Sequence, residues 1–269
     1  MNTVFAKKLR KAGDRLDLLI MTFNLRYDNP EDGENSWSNR KAKVAEIIKQ
    51  EQPVIIGTQE LLPAMIKDLD ELLTEYDWFG QPRQSNDEYS VIFYKKDEVR
   101  FVKNGTFWLS ETPLVEASIS WDSSLPRICT WGEFVCLNSP HRFRVFNTHL
   151  DHISEEARIK GVQVIEKYMA ALNESEHLPA ILTGDFNAEP ASDEVKFWMD
   201  KPFTSVYSVM KIQGEGLTFH DFEGGSDGEP IDYIFVSKDI EIKSGRIIHS
   251  KMDNMYPSDH YPVSAIVKI

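Results

Sequence analysis

Six short polar clusters recur along the chain, each at the margin of an apolar run. LLIMTFN ends at Asn24, VIIGTQE at Glu60, FRVFNTH at His149, and AILTGDFN at Asp185 and Asn187. IDYIFV opens on Asp232, and SDHYPV carries Asp259 and His260 just ahead of the last run. One polar residue at a strand end means little. Six such places, rich in Asp, Glu, Asn and His and poor in Lys, describe a water-filled acidic hole if the strand ends converge. Carboxylates crowded that way repel one another unless a cation neutralises them. Oxygen ligands with no nearby thiolate select Mg2+ or Mn2+ over zinc. Such an ion takes one or two carboxylates and leaves its other positions to water and substrate phosphate. There it polarises a phosphoryl oxygen and neutralises charge on the leaving group. The implied chemistry is hydrolysis of a P–O bond by water.

The elements that must position these groups are short. Strand patterns fall at Leu16–Phe23, Val54–Gly57, Ser90–Tyr94, Ile128–Leu137, Phe143–Phe146, Ala180–Leu182, Tyr233–Val236 and Val263–Ile269. Helical periodicity appears between some of them. Ser38 is placed to cap a helix over Arg40–Lys49, and Leu61–Leu73 holds a second that starts near Pro63. Ser154 followed by Glu155 and Glu156 reads as an N-cap with acids in the first turn, where the helix dipole favours them. That third helix is expected to reach about Leu172, with Ile159, Val162, Ile165 and Met169 toward the core. A fourth, short one follows Asp193. Strands that outnumber the helices interleaved with them suggest mixed sheets covered by helices. The irregular stretches Tyr27–Trp37 and Gln213–Glu229 flank the polar clusters and are expected to rim the site.

Composition sets the outer limits. The 269 residues suffice for a sizeable core and are read as one domain, 1–269, with a lead-in over about residues 1–15. No apolar run approaches the roughly 20 residues that span a bilayer. The basic start lacks a signal peptide's unbroken apolar centre, so a cytoplasmic location is expected. Cys129 and Cys136 share one strand pattern at an odd separation, which points them to opposite faces roughly 23 Å apart. They are expected as two buried thiols in a reducing compartment. The net charge of −13 argues against a broad basic surface for nucleic acid, although a bound metal can make a site locally positive.

In order along the chain, TFNLR (22–26), TQE (58–60), NTHL (147–150), TGDFNAEP (183–190), IDYIFV (231–236) and SDHYPV (258–263) resemble the motifs of the endonuclease/exonuclease/phosphatase superfamily. TQE or NTHL alone is a weak signal; GDFN, then DYIF, then SDH is a strong one. The resemblance implies a four-layer α/β/β/α sandwich with two mixed sheets inside and the site at one edge. It also implies roles. Glu60 is the principal metal carboxylate, with Asn24 a ligand or ligand-positioning amide and Asp259 a further metal contact. Asp185 and Asn187 hold or activate the attacking water, His149 hydrogen-bonds a non-bridging phosphate oxygen, and Asp232 orients His260. Either Asp185 or His260 is the general base. Arg26 stands where many relatives have an acid or amide. It cannot ligate a cation, and faces either substrate phosphate or an acidic loop residue.

Blander readings accompany several residues. GDFN is good turn chemistry by itself, Glu60 suits a helix's first turn, and a lone His149 is more often a satisfied core residue. Arg127 resembles an arginine that grips phosphate in phosphodiesterase-like relatives, and a surface ion pair fits it equally. Asp151 and His152 are expected on a loop at the site mouth, in contact with substrate or with solvent. Arg158 is read as stitching a helix to a loop. Trp37, Trp121 and Trp131 stay unassigned. Asn147 occupies the position where dinuclear zinc hydrolases need histidine. No P-x-W-x-D-R signature of inositol-polyphosphate phosphatases precedes IDYIF. Abasic-site endonucleases of the family usually sit in a more basic chain, so a small-molecule or lipid-headgroup phosphoester is slightly favoured over DNA or RNA. A nuclease and a non-catalytic binding protein on the same fold are the alternatives.

Overall fold

A computed structural model describes residues 16–210 and 216–269; the expected lead-in over residues 1–15 and Gln213–Glu215 of the second rim loop lie outside them. In chain order come β1 (Asp17–Asn24), α1 (Trp37–Glu51), β2 (Ile55–Gln59), α2 (Pro63–Leu72), β3 (Tyr76–Phe79), β4 (Ile92–Lys95) and β5 (Val99–Trp108). Then follow β6 (Ile128–Cys136), β7 (Arg142–His149), α3 (Glu155–Ser175), β8 (Ala180–Asp185) and α4 (Asp193–Met199). The last are β9 (Phe203–Ser205), β10 (Asp232–Ser237), β11 (Glu241–Ile247) and β12 (Val263–Lys268). They form two six-stranded sheets, ordered β11-β12-β1-β2-β4-β3 and β5-β6-β7-β8-β10-β9. Both are mixed: β1 runs parallel to β2, and β7 parallel to β8, among otherwise antiparallel pairs.

Three apolar layers hold the sandwich. Between the sheets, Leu18, Ile20 and Ile55 join a core with Val145, Ile181 and Ile234. On the outer face of the first sheet, Met21, Phe23 and Ile56 pack with Val44 and Ile48 of α1 and Met65 and Leu69 of α2. On the outer face of the second, Phe146, Leu182 and Phe235 pack with Val162 and Ile165 of α3 and Val195 and Trp198 of α4. Central strands buried on both faces explain why LLIM and AIL are continuous apolar runs instead of alternating ones. Cys129 and Cys136 are free, buried, and on opposite faces of β6, in the outer and inter-sheet cores. Burial pushes the Cys136 thiol up to about 11.

Near the site, polar groups replace this core. The Gln59 amide donates to Asn147 Oδ1 (2.7 Å), Thr183 Oγ1 donates to the same oxygen (3.1 Å), and Asn147 Nδ2 donates to Thr58 O (2.8 Å). Asn147 thus ties the two sheets together. Gly57 makes room for it: a Cβ there would stand 2.1 Å from Thr183 Oγ1 and 2.5 Å from Asn147 Oδ1.

Some helix details differ from expectation. Ser36, not Ser38, stands at the N-cap position of α1, without a side-chain capping bond; the helix starts three residues before Arg40, and Ser38 lies inside its first turn. Ser154 does cap α3, its hydroxyl accepting from Ala157 N, but the helix continues to Ser175 and buries Ala157 and Gly161 while Ile159 is only half-buried. The Tyr27–Trp37 stretch holds a 3-10 segment, Pro30–Asn35, and Trp37 already belongs to α1. Among the described residues, no helix is long and apolar enough to cross a membrane.

Candidate active site

Register brings the strand ends together. His149 pairs with Asp185 across β7 and β8, and Asp185 with Asp232 across β8 and β10, so the three stand abreast. In the other sheet Asn24 pairs with Gln59, which places Asn24 beside Glu60. Glu60 follows β2 with a left-handed backbone (φ 65°), and Asn187 has φ 49° just past β8. Non-glycine residues adopt that region at a cost and mostly where function or packing demands it. Glu60 sits ahead of Pro63, so it is not a first-turn acid of α2.

Asp185 is the hub. Its Oδ2 accepts from Asn24 Nδ2 (2.9 Å) and lies 3.6 Å from His149 Nε2 and 3.7 Å from His260 Nε2. Its Oδ1 accepts from Asn187 N (2.8 Å). Asn24 Nδ2 also donates to Glu60 Oε1 (3.0 Å), while Asn24 Oδ1 accepts from Arg26 N (3.0 Å). Asn24 therefore stands as a positioning amide, its oxygen turned to the backbone. His260 Nδ1 is 2.8 Å from Asp232 Oδ2, which leaves Nε2 directed at Asp185. Glu60, Asp185, Asn187, His149, Asp259, His260, Arg26 and Arg127 line one pocket of about 730 Å³, a size suited to a small ligand.

Burial and neighbouring charge divide the titratable groups. Burial alone would discharge His260, yet Asp232, Asp185 and Asp259 outweigh it and hold the imidazole up at about 10. Burial and then Asp232 push Asp185 up to about 7. Burial, Arg127 and Arg83 press His149 well below the usual histidine range, so it is neutral. Burial raises Asp259, with Glu60 adding to the rise against His260, Arg26 and Arg40.

Both arginines line the pocket, whereas Asp151 departs from the substrate-facing expectation. Arg26 does line the pocket, but its Nε and Nη2 both donate to Asp32 (3.0 Å each) and its Nε lies 3.7 Å from Asp259. It is paired with an acidic loop residue. Asp151 does not line the pocket. Its Oδ1 accepts from Ile153 N and Ser154 N, its Oδ2 from Ser124 N and Oγ, and Arg127 Nε stands 3.5 Å away. A carboxylate with its lone pairs so committed organises a loop and cannot also hold substrate, which corrects the expectation for Asp151. Arg127, 5% exposed, lines the pocket and donates from Nη2 to His152 Nδ1 (3.0 Å). Arg158 pairs with buried Glu194 and donates to Asp151 O, joining α3, α4 and that loop.

Sequence reading passed over two features. Arg40 is fully buried and donates to the carbonyls of Leu25, Arg26, Asn35 and Pro257, fastening the turn after Asn24 to the segment before Asp259. Nothing in a helix-borne arginine announces that. Arg83 and Glu88 also line the pocket, joined by a two-pronged ion pair (3.0 Å each) with Asp87 on Arg83 Nε. The charge-rich PRQSNDE run was their signal. Burial and then Glu60 push Glu88 up to about 7, against Arg83 and Arg127. A cation held at Glu60 would reverse that neighbour's influence.

The donor set fits a hard divalent cation. Glu60 and Asp259 offer oxygens that repel one another, and both cysteines are buried in the cores. Asp185, Asp232 and His260 have ligating atoms within 4.8 Å of one another. Since His260 Nδ1 is already bonded to Asp232, this trio reads as a proton relay rather than the ion's seat.

Comparison with known proteins gives consistent likenesses. Residues 21–260 match the profile described as the Endonuclease/Exonuclease/phosphatase family. A structure of a protein of that family from Bacteroides thetaiotaomicron is 34% identical, covers 95% of this chain and 96% of its own, and has a TM-score of 0.90. A mannosyl-6-phosphatase from the same organism is 34% identical, covering 93% and 99%, with a TM-score of 0.87. Human nocturnin is 21% identical over 249 residues, 84% of this chain and 56% of its own length. The chain spans 60% and 56% of the lengths of the curated relatives it matches.

Proposed function

Because the chain belongs to the endonuclease/exonuclease/phosphatase family of phosphoester hydrolases, which generally use a divalent metal, we propose that it hydrolyses a small-molecule phosphomonoester with Mg2+ or Mn2+. The observation that carries this reading is Asp185, buried, raised toward neutrality and set between two histidines at the floor of the pocket. Glu60 and Asp259 would hold the ion, with Asn24 and the Tyr27 N–H fixing the two oxygens of Glu60. Bound there, the ion supplies Lewis acidity toward a phosphoryl oxygen.

The chain's own residues account for the proton traffic. A carboxylate with a pKa near the working pH is an efficient general base. Asp185 takes the proton of the attacking water, and Asn187 N–H keeps its other oxygen fixed. His260, held charged by Asp232, presents Nε2–H to the oxygens that gain charge during in-line attack. Neutral His149 offers a further donor from Nε2 to a non-bridging oxygen. These assignments favour Asp185 over His260 as the base, since a charged imidazole cannot accept a proton.

The substrate class rests on pocket size, the net charge of −13 and the likeness at 34% identity to a mannosyl-6-phosphatase, which favours a sugar monoester. Two buried free thiols suit a reducing compartment, in line with a cytoplasmic location. The test is a panel of sugar phosphates, phenyl phosphate and oligonucleotides with added Mg2+ or Mn2+. Monoester turnover is expected to vanish in chelator and to fall about 10²–10⁴-fold in Asp185→Asn. Turnover undiminished by chelator removes the metal, and oligonucleotides cleaved faster than every monoester remove the substrate reading.

A further inference from the structure

Beyond the residues that handle the phosphate, the same pocket has a wall made of Arg83, Asp87, Glu88, Arg127 and His152. Its arginines are matched to carboxylates. Arg83 donates to both oxygens of Glu88 and to Asp87, and Arg127 lies 3.5 Å from Asp151. The wall is thus dense in fixed polar groups without being a positive surface. A carboxylate has about four acceptor sites, and Arg83 takes one on each oxygen of Glu88. Sites on both oxygens stay open at a side chain 15% exposed. Arg127 turns its Nε toward the loop carboxylate of Asp151, but Arg83, which lines the pocket, spends only three of a guanidinium's five N–H donors on Asp87 and Glu88. A small recess joins Glu88, Arg83, Arg127 and His149.

An acceptor beside a donor is what a hydroxyl group requires, because it gives one hydrogen bond and takes another. A second phosphate, which only accepts, would meet the Glu88 carboxylate. Phe219, 42% exposed, adds an apolar face to the same pocket, suited to the C–H side of a sugar ring. We propose that Glu88, held by Arg83 and flanked by Arg127, recognises hydroxyl groups of the leaving group and selects neutral polyol or sugar monoesters over substrates carrying a second phosphate. The inference rests on the phosphoesterase reading and names its substrate class.

The experiment compares kcat/KM for glucose 6-phosphate, phenyl phosphate and a hexose bisphosphate in wild type, Glu88→Gln and Glu88→Asp with Mg2+. A site built around a hydroxyl loses discrimination steeply when its partner is removed, so the glucose 6-phosphate to phenyl phosphate ratio is expected to fall at least about ten-fold in both variants. Relative turnover of the bisphosphate is expected to rise in Glu88→Gln, where the repelling charge is gone, and not in Glu88→Asp. Should Glu88→Gln fail to fold with Arg83 partly uncompensated, Glu88→Asp keeps the charge and decides the ratio. A ratio unchanged within about two-fold in the folded variants overturns this inference alone. Wild-type protein that turns over none of the three esters sinks the phosphomonoester reading, and this inference with it.

Discussion

Asp151 stands two residues past His149, and its carboxylate belongs to the loop, not to the ligand. Burial would raise its pKa, but the Ser124 hydroxyl, the Ser154 and Ile153 N–H groups and Arg127 together hold it well below the usual carboxylate range. A carboxyl depressed in the folded state contributes stability that is complete above its unfolded value of about 4 and is lost as pH falls toward the folded value. Asp151→Asn removes one of the carboxylates that offset the buried charge of Arg127, together with the loop's charge-assisted hydrogen bonds, and is expected to cost about 2–4 kcal/mol at neutral pH. Denaturant unfolding followed from pH 7 downward checks this. The gap between variant and wild type is expected to narrow only below about pH 4. A constant gap across that window would mean that Asp151 acts by packing rather than by charge. Arg40 does not follow that logic: burial lowers its pKa to about 10, and its part is structural, its guanidinium donating to four carbonyls that set Asn24 and Asp259 without touching the pocket.

At the level of elements, parallel neighbours deliver the chemistry. β1 beside β2 and β7 beside β8 end at the same edge, so Asn24, Glu60, His149 and Asp185 meet without long loops. Gly57→Ala tests how tightly the two sheets are joined beneath them. Its Cβ meets Asn147 and Thr183, both central to the inter-sheet hydrogen bonds, so the sheets must part or the bonds must break. Overpacking of this kind is expected to cost about 3 kcal/mol or more, with turnover reduced as Asp185 shifts away from Asn24. Thermal unfolding beside kinetics checks both; a fully stable, fully active variant would show the sheets to be loosely coupled. This edge was legible in the sequence because continuous apolar runs ended in polar residues, and the eight strand patterns correspond to strands. The four strands it did not show, β3, β5, β9 and β11, are short or carry exposed charge, as in VRFVKNGTFW and EIKSGRI. They lie at or next to sheet edges, where periodicity is weakest. The pairing that decides the role of Asp151 was hidden for another reason: Ser124 and Arg127 reach it from a separate loop, which no local pattern encodes, whereas Arg83 and Glu88 pair within the PRQSNDE run itself.

For the whole molecule, charge separates the two enzymatic readings. The chain carries −13, and the pocket arginines are already matched: Arg26 by Asp32, Arg83 by Glu88, Arg127 by Asp151. A protein that follows a nucleic-acid backbone needs unmatched cations, and its affinity falls steeply with salt as counterions are released. Six to ten phosphate contacts lose roughly 10³–10⁵-fold between 50 and 200 mM. A monoester engaged by one metal and one buried cluster has no such array to screen. The kcat/KM for a sugar phosphate is therefore expected to change by no more than about three-fold over that range, with Mg2+ held constant. Steady-state kinetics against added potassium chloride measures it. If activity instead collapses with salt, and does so most on single-stranded DNA, then a cationic track exists that Arg26, Arg83 and Arg127 do not form. The nuclease alternative would then displace the sugar-ester reading, with the catalytic cluster at Asp185 unchanged.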